Sequence, residues 1–301
     1  MLAGSPDAHA VLRRPLTTRL RSIEAATSTI RRVNATTVLG SIGAGNMAGA
    51  MVEGWLRADP AAAERILVTD RGSGRAARLA ERLGVQHVAD NAELVRRADV
   101  VLIAVKPIDV ERVLREASEL IETDTAIVSV AAGVATTTLE NVLEQGVPLF
   151  RCMPNVGVKV GSGTLCFASG PFTGSDAEAR VLGWLGQLGT VVTLEERLFD
   201  AATALAGSGP AFLGLVIEAF EDAGITSGLS ASTARALILS TMVGTANVLD
   251  ETGISCSDLR RMVTSPGGTA AAGLAQMERA SVRGGIIDGV LAALARAGQL
   301  G

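Results

Sequence analysis

The hydrophobic positions of this chain follow two different patterns along its length. Between residues 36 and 194, short apolar runs alternate with segments in which apolar residues recur every three or four positions. The runs predict buried strands, and the recurring positions predict amphipathic helices. Residues 99–105 are nearly all apolar, which is typical of a parallel strand covered on both faces. We therefore predict an α/β fold, with a doubly wound sheet over residues 36–195.

After residue 195 the strand pattern stops and only helical periodicity remains. Helices are predicted at residues 196–206, 210–223, 230–249, 256–263, 270–278 and 285–297. Several of them are apolar around much of their circumference, as the stretches at 213–217 and 237–243 illustrate. A helix with one buried stripe does not need so much apolar surface. We therefore predict an all-α domain over residues 196–301 that buries the surplus against a second copy of the chain.

The first 35 residues differ from the rest of the chain. They contain six arginines at positions 13, 14, 19, 21, 31 and 32, with few acids, among serines and threonines. That composition resembles an organellar transit peptide. Arginine, however, is preferred to lysine throughout the chain, so part of this bias is background. We expect residues 1–35 to be a disordered N-terminal extension.

The turn after the first predicted strand carries the main candidate chemistry. Its sequence, GAGNMA at 43–48, follows an apolar run and leads directly into a helical pattern. Gly43 and Gly45 allow a tight turn and the approach of a pyrophosphate, and the small Ala48 lets helix and strand pack closely. The next strand ends at the acidic Asp70, where such folds contact the ribose. This context predicts a Rossmann-like dinucleotide site; a purely structural glycine turn is the alternative.

The ends of the other predicted strands fall at the same edge of the sheet. They include Lys106-Pro107, residues 131–133 and residues 153–155. Ligands bind at the carboxyl ends of strands in doubly wound folds, so these positions should line one crevice. Asp70 would repel a 2′-phosphate and favour NADH, whereas Arg71 and Arg75 could bind that phosphate. The expected cofactor is therefore NADPH or NADH.

A second glycine-rich break, TSPGGT at 264–269, precedes a predicted helix. It offers consecutive backbone N–H groups, the hydroxyls of Ser265 and Thr269, and a helix N-terminus, which together form an anion cradle. Because the nucleotide phosphates have their own loop, this cradle suits a substrate carboxylate. The alternative is a simple connection between two short helices.

Composition excludes several classes of function. The 301-residue chain is 48% hydrophobic and has a net charge of −4 without a basic stripe, so we expect no nucleic-acid partner. Its apolar runs are interrupted, so we expect no membrane span. Three scattered cysteines without metal-ligand spacing suggest no metal and a reducing, cytoplasmic location. Tyrosine is absent, and histidine and lysine are rare, which leaves few strong side-chain bases.

Five segments resemble the pyrroline-5-carboxylate reductase family, in order and at family-like intervals. They are IGAGNMA at 42–48, AVKP at 104–107, RCMPN at 151–155, TALAGSGPAF at 203–212 and VTSPGGT at 263–269. The resemblance covers the chain from Thr36 to its end. It implies NAD(P)H-dependent reduction of 1-pyrroline-5-carboxylate, a cyclic imino acid, to L-proline in the last step of proline biosynthesis. It also implies a homodimer formed through the helical domain, which can assemble into a larger homo-oligomer.

The glycine turn and the resemblance together assign candidate residues to the site. The cofactor-binding candidates are Gly43, Gly45, Asn46, Met47, Ala48, Asp70, Arg71, Asn91, Ala104, Val105, Lys106 and Pro107. The substrate-binding candidates are Ser265, Gly267, Gly268, Thr269 and Ala270, of which Ser265 and Thr269 are also the catalytic candidates.

One departure from the family pattern concerns Ala270. The family usually has a threonine there, thought to hydrogen-bond the ring nitrogen of the substrate, and in this chain the neighbouring Thr269 is the candidate to replace it. Residues 156–158 are Val-Gly-Val where the family usually has Thr-Pro-Ala, and Phe212 stands where tyrosine is common. Both differences are expected to be tolerated packing changes. Two alternatives follow: a related reductase of another cyclic imine or carbonyl, and an inactive paralogue that binds nucleotide.

Overall fold

The computed structural model describes residues 36–299. The predicted extension over residues 1–35 lies outside this range. Within it, residues 36–210 together with 288–299 form one compact unit, and Ala211–Ile287 form a second. The domain boundary that the sequence places at residue 195 stays a prediction.

A single eight-stranded sheet organises the first unit. Its strands are β1 Leu39–Ile42, β2 Ile66–Thr69, β3 Gln86–His87, β4 Val100–Ile103, β5 Ala126–Ser129, β6 Leu149–Pro154, β7 Gly163–Ser169 and β8 Gly189–Thr193. They lie in the order β3-β2-β1-β4-β5-β6-β7-β8, so the winding reverses between β1 and β4. The doubly wound fold predicted from the sequence is confirmed.

One neighbouring pair breaks the parallel arrangement. Strands β6 and β7 are antiparallel, because the single 3₁₀ turn Val156–Val160 joins them and is too short for a crossover. The other neighbouring strands are parallel. The carboxyl ends of β1, β2, β4, β5 and β6 therefore share one edge of the sheet.

Helices cover both faces of this sheet. They are α1 Asn46–Ala58, α2 Arg75–Leu83, α3 Asn91–Arg97, α4 Val110–Ala117, α5 Thr136–Glu140 and α6 Ser175–Leu185. Alternate strand residues enter opposite cores: Leu102 packs in the cluster that contains Trp55 and Trp184, and Val101 in the cluster that contains Leu94. This period of two explains why the central strand β4 is apolar at every position.

The rest of the chain is helical. Its helices are α7 Phe199–Ala202, α8 Gly209–Thr226, α9 Ala231–Thr252, α10 Cys256–Val263, α11 Thr269–Arg279 and α12 Val282–Ala297. The segment predicted as one helix over 196–206 is instead a 3₁₀ turn, then α7, then a π-helical turn at Thr203–Gly207. Ser230 caps α9, because its Oγ accepts the Thr233 N–H at 3.2 Å.

The second unit exposes most of its apolar side chains. Of its described residues, only Ala234 is fully buried, whereas Leu213, Leu237 and Val243 are between 55% and 61% exposed. One stretch, Glu196–Thr226, is long and apolar enough to cross a bilayer by length and composition, and only 6% of its apolar window is buried. Exposed apolar surface on this scale marks an interaction face.

A buried ion pair ties the first helical turn after β8 to the sheet. The Arg151 guanidinium on β6 is 10% exposed and donates to Glu196 Oε1 at 2.7 Å. Glu196 also accepts the Thr136 N–H at 2.8 Å and its hydroxyl at 2.5 Å, and Arg151 lies over the Phe199 ring at 4.6 Å. Burial opposes ionisation of Glu196, but the hydrogen bonds from Thr136 and Arg151 outweigh it and lower its pKa.

We predict that Glu196→Gln destabilises the chain by about 2 kcal/mol at pH 7, because it leaves the buried Arg151 without an anion. The lowered pKa makes Glu196 stabilising above its ordinary value near 4.5, and this contribution is lost as the pH falls further. Urea unfolding of wild type and variant should therefore differ at pH 7 and converge toward pH 3. The control Glu195→Gln removes an exposed acid and should change little; equal effects of the two variants would contradict the prediction.

Candidate active site

The turn after β1 is closed by two neighbouring strands. The Gly43 N–H donates to Thr69 O on β2 at 2.9 Å, and the Ala104 N–H after β4 donates to Ile42 O at 2.9 Å. Gly43 has a φ of +109°, and a Cβ there would lie 2.4 Å from Ala104 O. Both the backbone conformation and the lack of space require glycine at this position.

Gly45 is a glycine for a different reason. A Cβ there would meet no protein atom within 4 Å, so packing within the chain does not require a glycine. Gly45 is also the N-cap of α1, and no side chain accepts a hydrogen bond from the first turn of that helix. The free N–H groups and the open space above Gly45 are what a bound pyrophosphate needs.

A cavity of about 330 Å³ lies at the carboxyl ends of the central strands. Eight of the twelve predicted cofactor-binding residues line it: Gly43, Gly45, Asp70, Arg71, Asn91, Ala104, Val105 and Lys106. Ser73, Arg75 and Asp109 line it as well. Ser73 and Asp109 were not predicted as site residues. Each follows a predicted strand end by two or three residues, and this position alone does not indicate a role in the site.

The remaining four predicted residues do not line this cavity. Asn46 lines a neighbouring groove of about 710 Å³ between α1 and α2, which also holds Arg75 and Arg78. Ala48 is 1% exposed, and Met47 is half-buried against the core cluster that contains Trp55 and Trp184. Pro107 begins the 3₁₀ turn Pro107–Asp109. These three residues shape the turns around the cavity, and their assignment to cofactor binding stays a prediction.

The Asp70 carboxylate is occupied by its own loop. Its Oδ1 accepts the Gly72 N–H at 2.9 Å, and its Oδ2 accepts the Ser73 hydroxyl at 2.7 Å and the Ala76 N–H at 2.8 Å. Burial opposes ionisation, but these hydrogen bonds prevail and lower the pKa of Asp70. Asp70 is therefore a charged organiser of the loop between β2 and α2, with its charge satisfied by local donors.

Asn155, directly after β6, holds a carbonyl group of the π-helical turn that precedes α8. Its Nδ2 donates to Ala206 O at 3.1 Å, and its Oδ1 accepts the N–H groups of Gly157 and Thr164, each at 3.1 Å. Pro210 lies four residues after Ala206 and has no N–H for the usual α-helical bond. Asn155 therefore supplies the hydrogen bond that Ala206 O cannot receive from the proline. This bond anchors the AGSGP segment at 206–210 to the end of β6.

The glycine loop before α11 belongs to the second unit. Gly267 has a φ of +70°, and the Gly268 N–H donates to Ser265 O at 3.0 Å. Gly268 is the N-cap of α11 and no side chain caps the helix, so its first N–H groups remain available to an anion. Thr269 is exposed and Ala270 is half-buried, and as successive residues of a helix they differ by about 100° in direction. Thr264, which is not among the predicted site residues, has a buried Oγ1 without a hydrogen-bond partner.

Other titratable groups do not form a second centre in the described part of the chain. Burial raises the pKa of the Cys152 and Cys166 thiols, which are therefore neutral. His87 is exposed on β3, the edge strand of the sheet. Among residues 36–299, no group of three His, Cys, Asp or Glu side chains has the arrangement of a metal site.

Two family models match the chain in succession. One, described as NADP oxidoreductase coenzyme F420-dependent, matches residues 38–133. The other, described as pyrroline-5-carboxylate reductase dimerisation, matches residues 196–300. The first covers the glycine turn and the lining of the cavity, and the second covers the helical part.

Curated relatives and solved structures agree with these matches. The pyrroline-5-carboxylate reductase of Methanosarcina acetivorans is 35% identical over 263 residues, 87% of this chain and 97% of that protein. That of Mycobacterium tuberculosis is 37% identical over 282 residues, 86% and 95% of the two chains. A Coxiella burnetii pyrroline-5-carboxylate reductase superposes with a TM-score of 0.79 at 33% identity, covering 88% and 98%. A Plasmodium falciparum pyrroline carboxylate reductase with NADP bound gives 0.78 at 26%, covering 88% and 98%.

The two glycines of the turn provide a matched test of the site. We predict that Gly43→Ala destabilises the chain by about 3 kcal/mol, because the new Cβ clashes with the Ala104 carbonyl. Gly45→Ala should leave the melting temperature unchanged and weaken dinucleotide binding about tenfold or more. Thermal unfolding and calorimetric titration with NADPH measure both effects. Unweakened binding in Gly45→Ala would show that the pyrophosphate does not approach this turn.

Proposed function

The chain belongs to the pyrroline-5-carboxylate reductase family, and on that premise we propose how its residues reduce 1-pyrroline-5-carboxylate to L-proline with NAD(P)H. The reaction adds a hydride to the carbon of the C=N bond and a proton to its nitrogen. Bound NAD(P)H supplies the hydride. The observation that carries the proposal is the cavity at the carboxyl ends of the strands, lined by eight residues with the chemistry of a dinucleotide site.

The first unit binds and orients the cofactor in this proposal. The N–H groups of α1 hold the pyrophosphate, and Gly43 and Gly45 keep the approach open. Arg71, Ser73 and Arg75 lie where an adenine ribose meets the loop after the second strand. The Asp70 oxygens already accept hydrogen bonds from their own loop, so this carboxylate is a poor acceptor for the ribose 2′-hydroxyl of NADH. Arg71 and Arg75 line the same cavity and can pair with a 2′-phosphate. We infer that the chain uses both cofactors and prefers NADPH.

The second unit binds the substrate carboxylate. In this proposal the N–H groups of Gly267, Thr269 and Ala270 and the hydroxyl of Ser265 hold the carboxylate at the start of α11, while the Gly268 N–H keeps the loop closed by its bond to Ser265 O. A protonated cyclic imine is already electrophilic, so positioning supplies most of the required acceleration. The scarcity of histidine, lysine and tyrosine is therefore compatible with the reaction. Thr269 is the proposed hydrogen-bond partner of the ring nitrogen, and its hydroxyl oxygen accepts the N–H of the protonated imine.

Oxidation of NADPH and NADH with 1-pyrroline-5-carboxylate tests the proposal directly. We expect turnover with both cofactors and formation of L-proline. A panel of cyclic imines of different ring size should show a preference for the five-membered ring. Preference for another ring or for a carbonyl would favour the related-reductase alternative. Thermal stabilisation by nucleotide without any turnover would favour the inactive paralogue.

The threonine at the start of α11 provides the next prediction. Successive helix positions differ by about 100° of rotation, so Thr269 cannot place its hydroxyl where a residue at 270 would. We predict that Ala270→Thr raises kcat/KM severalfold and that Thr269→Ala lowers it about tenfold or more, as expected for a charge-assisted hydrogen bond in the transition state. Steady-state kinetics with saturating cofactor measure both. If Thr269→Ala leaves kcat/KM unchanged, the relocated hydrogen bond is refuted and the reductase assignment remains intact.

We also propose a homodimer formed by the helical part of the chain, which can assemble further into a larger homo-oligomer. The exposed apolar side chains of α8 and α9 support this proposal, because a second copy would bury them. This burial also accounts for the apolar stretch Glu196–Thr226 without a membrane. Free Cys152, Cys166 and Cys256 agree with a reducing, cytoplasmic location.

Replacing Leu239, which is 38% exposed on α9, tests the dimer. We predict that Leu239→Asp yields inactive monomer or aggregate, because a carboxylate cannot be buried unpaired at the interface. Light scattering and activity at the same micromolar concentration give the readout. Asp250→Asn, which alters a charge near the end of the same helix, serves as the control. A stable, active wild-type monomer would contradict the proposal.

A further inference from the structure

A salt bridge spans the mouth of the dinucleotide cavity. Arg71 Nη1 lies 2.7 Å from Asp109 Oδ1. Arg71 belongs to the loop after β2, and Asp109 ends the 3₁₀ turn after β4. Since β2 and β4 are the two neighbours of β1, the bridge crosses the carboxyl end of β1, where the dinucleotide lies in this fold.

The two partners are held very differently. The Asp109 side chain is 15% exposed, whereas that of Arg71 is 61% exposed. Arg112 Nη2 lies 3.4 Å from the same Asp109 oxygen, so the carboxylate keeps a second cation when Arg71 moves away. Asp109 is therefore the more buried partner with two cations beside it, and Arg71 is the exposed partner that solvent or a ligand can reach.

The charge of the cavity makes this exchange important for specificity. Two acids line it, Asp70 and Asp109. Asp70 is satisfied by the Gly72 and Ala76 N–H groups and by Ser73, so Asp109 is the lining acid that competes for an arginine. Arg71 and a 2′-phosphate would otherwise form a charge-assisted pair.

We propose that Asp109 is a specificity-determining residue of this enzyme, which restrains its preference for NADPH by holding Arg71. This inference rests on the proposed use of NAD(P)H by the same cavity. A 2′-phosphate must take Arg71 from Asp109 and then lie near the Asp109 carboxylate, and both effects weaken NADPH binding. NADH carries a hydroxyl at that position and makes no such demand on Arg71. Asp109 thus acts through Arg71: it lowers the affinity for NADPH and leaves the affinity for NADH nearly unchanged.

The test is a double-mutant cycle on the full-length chain, read by calorimetric titration with NADP⁺ and NAD⁺. Asp109→Asn should tighten NADP⁺ binding about three- to fivefold, in the range expected for release from an exposed ion pair, and change NAD⁺ binding less than about twofold. Arg71→Ala should weaken NADP⁺ binding about tenfold and spare NAD⁺. In the Arg71→Ala background, Asp109→Asn should no longer tighten NADP⁺ binding, because the residue it releases is gone.

Two controls separate this role from a structural one. Glu111→Gln removes the same charge two residues further along, where the partner is Arg115 outside the cavity, and should leave the ratio of the two affinities unchanged. The gain in Asp109→Asn should also shrink at high salt, whereas a packing effect would not. In kinetics, the gain should appear in KM for NADPH and not in kcat.

The outcomes distinguish the inference from the proposed function. Equal tightening of both dinucleotides, or a gain that persists without Arg71, would overturn the role of Asp109 while the enzyme remains a reductase. Failure of the wild-type chain to bind either dinucleotide would overturn both the inference and the proposed function. Selective tightening of NADP⁺ that depends on Arg71 would establish the inference.

Discussion

The contact between Gly43 and the Ala104 carbonyl is the constraint on which the rest of the site depends. The winding of the sheet reverses at β1 and β4, and the chains leaving these strands must part to make room for a ligand. They are nevertheless so close at their ends that a Cβ on Gly43 would lie 2.4 Å from the Ala104 oxygen. Any other residue would push the two turns apart and displace the N-terminus of α1. The positions of the N–H groups proposed to bind phosphate, and of Lys106, therefore depend on this one close approach.

Much of the fold could be predicted because its local and global patterns agree. The buried strand β4 is apolar at every position, and β5 is apolar at all but its last, Ser129, so length and composition identify both strands. The region before α8 was not predicted in detail. Apolar periodicity cannot distinguish α, 3₁₀ and π geometry, and the π-helical turn at Thr203–Gly207 is stabilised by Asn155, about fifty residues earlier. A contact so distant in sequence leaves no local signal.

The site shows the same limit at the level of single side chains. The position of Asp70 at the end of β2 identified it as a candidate site residue. Its effect on a cofactor, however, depends on which donors its carboxylate oxygens already accept. Three donors within six residues satisfy the carboxylate, and the spacing of these residues does not reveal this. Asp109 was missed because its relevance comes from the pairing of β2 and β4 with β1, which brings it to Arg71 across 38 residues of sequence. Residue type and motif position locate the site, whereas hydrogen bonding decides the role of each residue within it.

The helical part of the chain shows why stability and activity cannot be separated in this protein. Within Ala211–Ile287 only Ala234 is fully buried, so this unit has almost no core of its own in a single chain. Burying apolar surface contributes roughly 25 cal/mol per Å², and a unit without such burial cannot offset the conformational entropy of its helices. The same unit carries the loop proposed to hold the substrate carboxylate. The geometry of that loop therefore requires α10 and α11 to be covered by another surface, and in the proposed dimer the second copy provides it. Association would then be a condition of catalysis, because it orders the substrate-binding half of the enzyme.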